Sequence, residues 1–229
     1  MLVFSKVEAG RFFHISIDEG VSAIESIGQD RNWNVDVTID ANEFTESNLA
    51  NYDVVVFNNT AGDILNSSQE AAFRNYFENG GGFVGIHSAA ATEESWDWYA
   101  EDLIGTSFED HPAIQVATMD IESRTNPATS SLPERWSLRE EWYNWTLNPR
   151  VETGVKVLLT VDESTYNGGT MPEDHPIAWC REFDGGRSFY TSLGHVEATF
   201  SESDFISHIA GGIEWASGSV ISDGLILDL

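Results

Sequence analysis

The residues best able to do chemistry are histidines set at polar breaks after apolar runs. His87-Ser88 ends the stretch GGGFVGI, His14 follows Arg11 in GRFFH, and His195 lies two positions before Glu197 in GHVEATF. An imidazole changes charge near neutral pH, so it can take a proton, return one, or ligate a metal. His195 with Glu197 reads as a base and its orienting carboxylate, and His87 as the partner of that base or as a metal ligand. Two further histidines, His111 and His175, sit in the matching loops EDHPAIQ and EDHPIAW, where proline restricts the backbone beside the ring. With His87 and Glu141 they form a candidate ligand set for a divalent metal such as Zn, Mn, Co or Ni, which neutral imidazoles and carboxylates suit. No compact HExxH signature accompanies them.

Such residues need a scaffold, and the sequence predicts one built of alternating strands and helices. Leu2 to Ser5 is a short apolar run, after which Ile17, Val21, Ile24 and Ile27 recur at helical spacing. Val35, Val37 and Ile39 alternate with polar residues, and DVVVF, residues 53–57, is continuous as a parallel strand buried on both faces must be. Ser67-Ser68-Gln69-Glu70 fits a capping box opening a helix that stops at Gly80, and FVGI, residues 83–86, is the next strand. Gly80 to Gly82 stand before a strand, whereas a phosphate-cradling loop follows one, so they read as a helix stop and turn. Later, residues 155–161, 177–183 and 187–193 read as strands, the last two joined as a hairpin through Asp184-Gly185-Gly186; a final helix runs from about Ser203 to Trp215. The fold class expected is therefore α/β, a doubly wound and mostly parallel sheet flanked by helices, with a late β-hairpin.

Open α/β sheets bind ligands beyond the carboxyl ends of their strands. On this pattern Arg11 and His14 follow the first strand, Asn58, Asn59 and Thr60 the third, His87 and Ser88 the fourth, and His195 and Glu197 the hairpin strand. Arg11, His14, Asn59, Thr60 and Ser88 are accordingly candidate substrate-binding residues. Five of the eight tryptophans, Trp96, Trp98, Trp136, Trp142 and Trp145, fall close together with Tyr99 and Tyr143. Aromatic rings stack on the apolar face of a sugar, which makes Trp142 and Tyr143 candidates for a sugar platform. The same rings would equally cover the sheet or an interface between copies of the chain, so a homo-oligomer is compatible with the sequence.

Composition narrows the partners. Against 38 acidic residues stand 11 basic ones, a formal net charge of -27; neither nucleic acid nor an anionic membrane surface suits such a chain. The acidity fits a soluble acidic surface or adaptation to high salt, where self-repulsion is screened. The single Cys180 rules out an intramolecular disulfide and lies in the apolar strand IAWC, the setting of a buried, inert thiol. No apolar run is long enough for a membrane span and no signal-peptide pattern opens the chain, so a cytoplasmic location is expected.

The stretches GRFFHISI, FNNTAGDIL, GGGFVGIHSAAAT, HPAIQ, EEWYN, DESTYNGGTMPEDHPIAWC and GGRSFYTSLGHVEATF together resemble the ThuA-like (trehalose utilisation) family, whose fold is similar to class I glutamine amidotransferases. The resemblance implies a single ThuA-like domain over residues 1–229. In the amidotransferases a strand-turn-helix elbow presents a cysteine in a G-x-C-x-G context and a later H-x-E supplies the base. Here Gly85-Ile86-His87-Ser88-Ala89 puts histidine at the elbow, while His195-Val196-Glu197 keeps the pair. Thioester chemistry needs a thiolate at that point, so Cys-dependent glutamine hydrolysis is excluded. The family further implies a small-molecule sugar, a disaccharide or its 3-keto derivative, and a functional link to a sugar oxidoreductase. Keto-sugar isomerisation by His-mediated proton transfer fits these residues. Two other readings remain open: a glycoside hydrolase or lyase on the same sugars, and a non-catalytic sugar-binding or regulatory module. For hydrolysis the doublets Glu140-Glu141 and Asp162-Glu163 are poor pairs, because neighbours in a strand point to opposite faces.

Overall fold

The computed structural model describes residues 1–219; residues 220–229, the end of the expected domain, lie outside the described residues. In chain order the regular elements are β1 (Leu2–Phe4), α1 (Ile17–Arg31), β2 (Asp36–Thr38), α2 (Glu46–Leu49), β3 (Val54–Asn58), α3 (Ser67–Glu78) and β4 (Gly82–Ile86). There follow β5 (Phe108–Asp110), β6 (Gln115–Ile121), β7 (Arg135–Glu140), β8 (Asn144–Trp145), β9 (Lys156–Asp162), β10 (Pro176–Phe183), β11 (Gly186–Thr191) and α4 (Ser203–Ala216). Among the described residues nine strands form one sheet in the order β2-β1-β3-β4-β11-β10-β9-β6-β7, while β5 and β8 pair separately.

The half from β2 to β11 is parallel. Its central strands β3 and β4 are buried at every residue, as continuous apolar runs between two helical layers require. Alternate side chains feed different cores. Val54 and Val56 pack with Ile24 and Ile27 of α1 and with Ile209 and Ile213 of α4; Val55 and Phe57 pack with Phe73 and Phe77 of α3 and with Tyr99 of a π-helical turn, Trp98–Ile104. From β11 onward the sheet continues antiparallel through β10, β9, β6 and β7. The β10-β11 connection brings Phe183 opposite Gly186 across Asp184 and Gly185, whose φ angles of 48° and 97° match a two-residue turn with positive φ at both positions.

Two readings change in detail, and one of the open alternatives is selected. The cap of α3 is Asn66 rather than Ser67: its side chain accepts the Ser68 and Gln69 amides, and Gln69 reaches back to the Asn66 amide. Strands β6 and β7 extend the sheet where periodicity had assigned nothing. The tryptophans cover the sheet: Trp136 and Trp142 lie in one core, Trp98 and Trp145 in the other. Among the described residues no helix is long and apolar enough to cross a membrane.

Candidate active site

At the carboxyl ends of the parallel strands the chain makes several abrupt turns, and each delivers a polar group to one hollow. His87 stands directly after β4 with φ 51° and no solvent exposure. Left-handed backbone is uncommon for a residue with a side chain, and such geometry concentrates at functional sites. Its Nδ1 lies 2.7 Å from the Ser192 carbonyl; a carbonyl only accepts, so Nδ1 carries the hydrogen and Nε2 presents its lone pair. That lone pair faces the Tyr143 hydroxyl at 2.9 Å, His195 Nδ1 at 3.1 Å and Glu141 Oε2 at 3.4 Å. Burial holds the Tyr143 phenol far above its ordinary pKa, so its hydroxyl stays a donor.

Glu141 ties the cluster together. Its Oε2 is 3.1 Å from His195 Nδ1, and its Oε1 is 3.1 Å from His111 Nδ1. Burial opposes its ionisation, but the neighbouring His195 and His87 rings outweigh burial and hold the carboxyl well below the usual range. His14 arrives from the loop after β1; its ring centroid is 4.8 Å from that of His87 and 5.0 Å from that of His195, and Ser88 Oγ lies 3.3 Å from its Nδ1. Burial first, then the neighbouring His87 and His195, lower its pKa to about 3, so His14 is neutral at physiological pH. One ligand atom from each of His14, His87, Glu141 and His195 lies within 4.8 Å of the others.

The cluster opens into a cavity of about 350 Å³, walled by Arg11, Phe12, Glu94, Phe108, His111 and Tyr143 among others. Arg11 is anchored by Glu94 at 2.6 Å and by Glu8. Phe12 is 67% exposed and stacks over His195 with ring planes 15° apart. A larger cavity of about 700 Å³ opens at the amino ends of β1, β2 and β3, between Met1, Trp33, Asp36 and Asp53, and contains no histidine. The smaller one is where the reactive groups converge.

The structure brings Arg11, His14, Ser88, His87, His111, Glu141, Tyr143 and His195 to this hollow and leaves other candidates out. Glu197 is exposed at the start of a 3₁₀ turn, Glu197–Ser201; the carboxylate beside His195 is Glu141, because the chain bends sharply after Gly194 (φ 115°). His175 is buried outside the cluster, its Nδ1 at 2.7 Å from Glu163 and its Nε2 at 2.8 Å from the Tyr143 carbonyl. It therefore props the segment bearing Tyr143 and stands apart from the cluster around Glu141. Trp142 is wholly buried and donates to the Gln115 carbonyl at 2.9 Å, so Phe12 and Phe108 supply the apolar wall instead. Asn59 and Thr60 lie beneath the floor: Asn59 donates to the Gly194 carbonyl at 3.3 Å, and Thr60 pairs with Thr92 at 2.8 Å. Cys180 is buried, its thiol pushed up to about 12 by desolvation, and takes no part.

One organising residue escaped the sequence reading. Glu140 is fully buried and accepts from Gly194 N at 3.2 Å, His195 N at 3.2 Å, Val196 N at 3.4 Å, Thr199 Oγ1 at 2.6 Å and Glu141 N at 3.1 Å. Its carboxylate is the template on which the loop carrying His195 is folded. The signal was present in RWSLRE: alternation puts Glu140 on the same face as the buried Trp136 and Leu138, where a lone carboxylate must have partners. Glu141 then follows on the opposite side and faces the cavity.

The family model for ThuA, trehalose utilisation, matches residues 1–216. The chain is similar to a solved ThuA-like protein from Bacteroides uniformis, with 23% identity, 94% of this chain and 90% of that one covered, and a TM-score of 0.79. A ThuA-like protein from Parabacteroides merdae is 19% identical, with coverage of 94% and 88% and a TM-score of 0.76. A cytoplasmic protein from Salmonella typhimurium is 12% identical, with coverage of 94% and 98% and a TM-score of 0.63. These structures share the fold. No curated protein matches the chain.

Proposed function

Because the chain belongs to the ThuA family, which supports a role in carbohydrate metabolism, we propose that it isomerises a keto sugar, the 3-keto derivative of a disaccharide, by imidazole-mediated proton transfer. The observation that carries this reading is the convergence of His14, His87, His111 and His195 on Glu141 and Tyr143 at the wall of one sugar-sized cavity. A proton on the carbon beside a ketone is acidic enough for an imidazole to remove if the developing oxyanion meets donors. Taking the proton from C2 of a 3-keto sugar places the charge on the C3 oxygen. Moving the hydroxyl proton from O2 to O3 and returning a proton to C3 completes a 2-keto product, with no oxidant consumed. His195, oriented by Glu141, is suited to move the carbon-bound proton, and the neutral phenol of Tyr143 to donate to the enediolate.

The cavity wall fits a neutral polyol. Phe12 and Phe108 offer apolar faces for a pyranose, while Arg11, Glu94 and His111 offer hydrogen bonds. The partners implied are a small-molecule sugar and, upstream, a sugar oxidoreductase that makes the ketone; a cytoplasmic setting suits both. Hydrolysis is less well served, since the carboxylate of Glu140 is consumed by the loop amides and Glu94, the other carboxylate on the cavity wall, is paired with Arg11.

Incubation with 3-keto-trehalose followed by NMR tests the proposal: the carbonyl signal should move along the ring in wild type and stay fixed in His87→Ala and His195→Ala, both retaining wild-type circular dichroism. Full activity in both variants, or release of free monosaccharide by the wild type, refutes it.

A further inference from the structure

The same cluster has the geometry of a coordination sphere, and we propose that His14, His87, His195 and Glu141 bind one first-row divalent transition ion. Ligands held at about 2.1 Å from such an ion stand roughly 3.0 to 3.4 Å apart along an edge of its polyhedron. The separations found are 3.1 Å for His87 Nε2 to His195 Nδ1, 3.1 Å for His195 Nδ1 to Glu141 Oε2 and 3.4 Å for His87 Nε2 to Glu141 Oε2. A ring nitrogen of His14 lies within 4.8 Å of the other three ligand atoms; because two ligands of one ion stand at most about 4.2 Å apart, it closes in slightly to complete the set.

The surroundings are those a metal site requires. The Ser192 carbonyl takes the His87 Nδ1 hydrogen, which commits the Nε2 lone pair to the cluster; Ser88 Oγ contacts His14 Nδ1, and His111 holds the second oxygen of Glu141. Such outer partners fix ring orientation and ligand basicity. Three imidazoles and one carboxylate favour Zn, Mn, Co, Ni or Fe(II) over Mg or Ca, which prefer all-oxygen sites. The proposed set differs from the sequence expectation of His87, His111, Glu141 and His175: His87 and Glu141 are common to both, and His14 and His195 stand in place of the EDHP histidines.

Its role in the reaction rests on the sugar reading, whereas its existence does not. The cavity that His14, Glu141 and His195 line borders the set, so an ion that accepts a fifth ligand there would supply Lewis-acid polarisation of a ketone oxygen. With the ion bound His195 is a ligand, and the proton-carrying role given to it above passes to His111, which is held on Glu141 but stands outside the four.

The test is metal binding without substrate. Chelator-treated full-length protein, titrated with Co²⁺ in excess Mg²⁺ to occupy surface carboxylates, should take up one equivalent with the visible absorption of a nitrogen-ligated site. Glu141→Gln and His14→Asn should each weaken uptake by more than the roughly 10- to 100-fold that losing an outer-shell partner costs. Cu²⁺ bound to unmutated protein should show imidazole nitrogen couplings by pulsed EPR, a readout independent of variant folding. Uptake that Mg²⁺ abolishes, oxygen-only coordination, or folded variants with unchanged affinity would overturn the site. Keto-sugar turnover by protein shown free of metal would remove the ion's role and leave the isomerase reading standing; tight Co²⁺ binding without turnover would do the reverse.

Discussion

Replacing Glu140 by Gln keeps its size and burial but turns one acceptor oxygen into a donor. Oε1 accepts from Gly194 N, Val196 N and Thr199 Oγ1, and Oε2 from His195 N and Glu141 N. The best orientation of the amide keeps the three contacts of Oε1 and aims its NH₂ at two backbone N–H groups. Hydrogen bonds to a charged group contribute about 1.5–3 kcal/mol each, and a buried donor left unmet costs about 1–3 kcal/mol. Two lost bonds, with the remaining three weakened by loss of charge, amount to about 3–5 kcal/mol, a large part of the ~5–15 kcal/mol that stabilises a typical domain. Urea unfolding followed by circular dichroism reads this as a lower midpoint at unchanged slope. Because Glu140 holds the backbone of His195, turnover should also fall, by up to about 100-fold for a displacement near 1 Å. A Glu140→Gln protein within about 1 kcal/mol of wild type would show that the loop is held by other means and would refute the reasoning.

Two further perturbations test the electrostatics. Glu93 is buried with φ 49°, its Oε1 accepts from the Ile64 and Leu65 amides, and desolvation raises its pKa to about 7. A raised carboxyl pKa means the folded state binds the extra proton, so this contribution is present at low pH and is lost as pH climbs from about 4.5 through 7; Glu93→Gln should therefore stabilise the protein more at pH 8 than at pH 5 in thermal melts, and a gain independent of pH would contradict the assignment. The net charge of -27 predicts a melting temperature that rises with NaCl as the screening length falls to about 3 Å at 1 M; maximal stability in dilute buffer would show that self-repulsion is not limiting.

What residue order alone determined is the frame of the candidate site. Continuous burial of DVVVF and FVGI and the helical spacing of Ile17, Ile24 and Ile27 are local patterns, and each forms as its period demands. Topology then places strand ends together, which is why His87 and His195, 108 positions apart, could be expected on one rim and stand in contact. The partners of those rings were settled by tertiary packing. Sequence proximity favoured Glu197 for His195 and the repeated EDHP loops for a metal, yet direction depends on how a loop is held: Glu197 faces outward from the loop that the buried Glu140 holds, while Glu141 enters from just past the end of β7. The tryptophans illustrate the same limit: their clustering showed large apolar area to be buried, but only the two cores decide that Trp142 belongs to one of them and that Phe12, from another loop, stands over the imidazoles. Periodicity is a property of short segments, whereas a site is set by the few long-range contacts that fix where loops point.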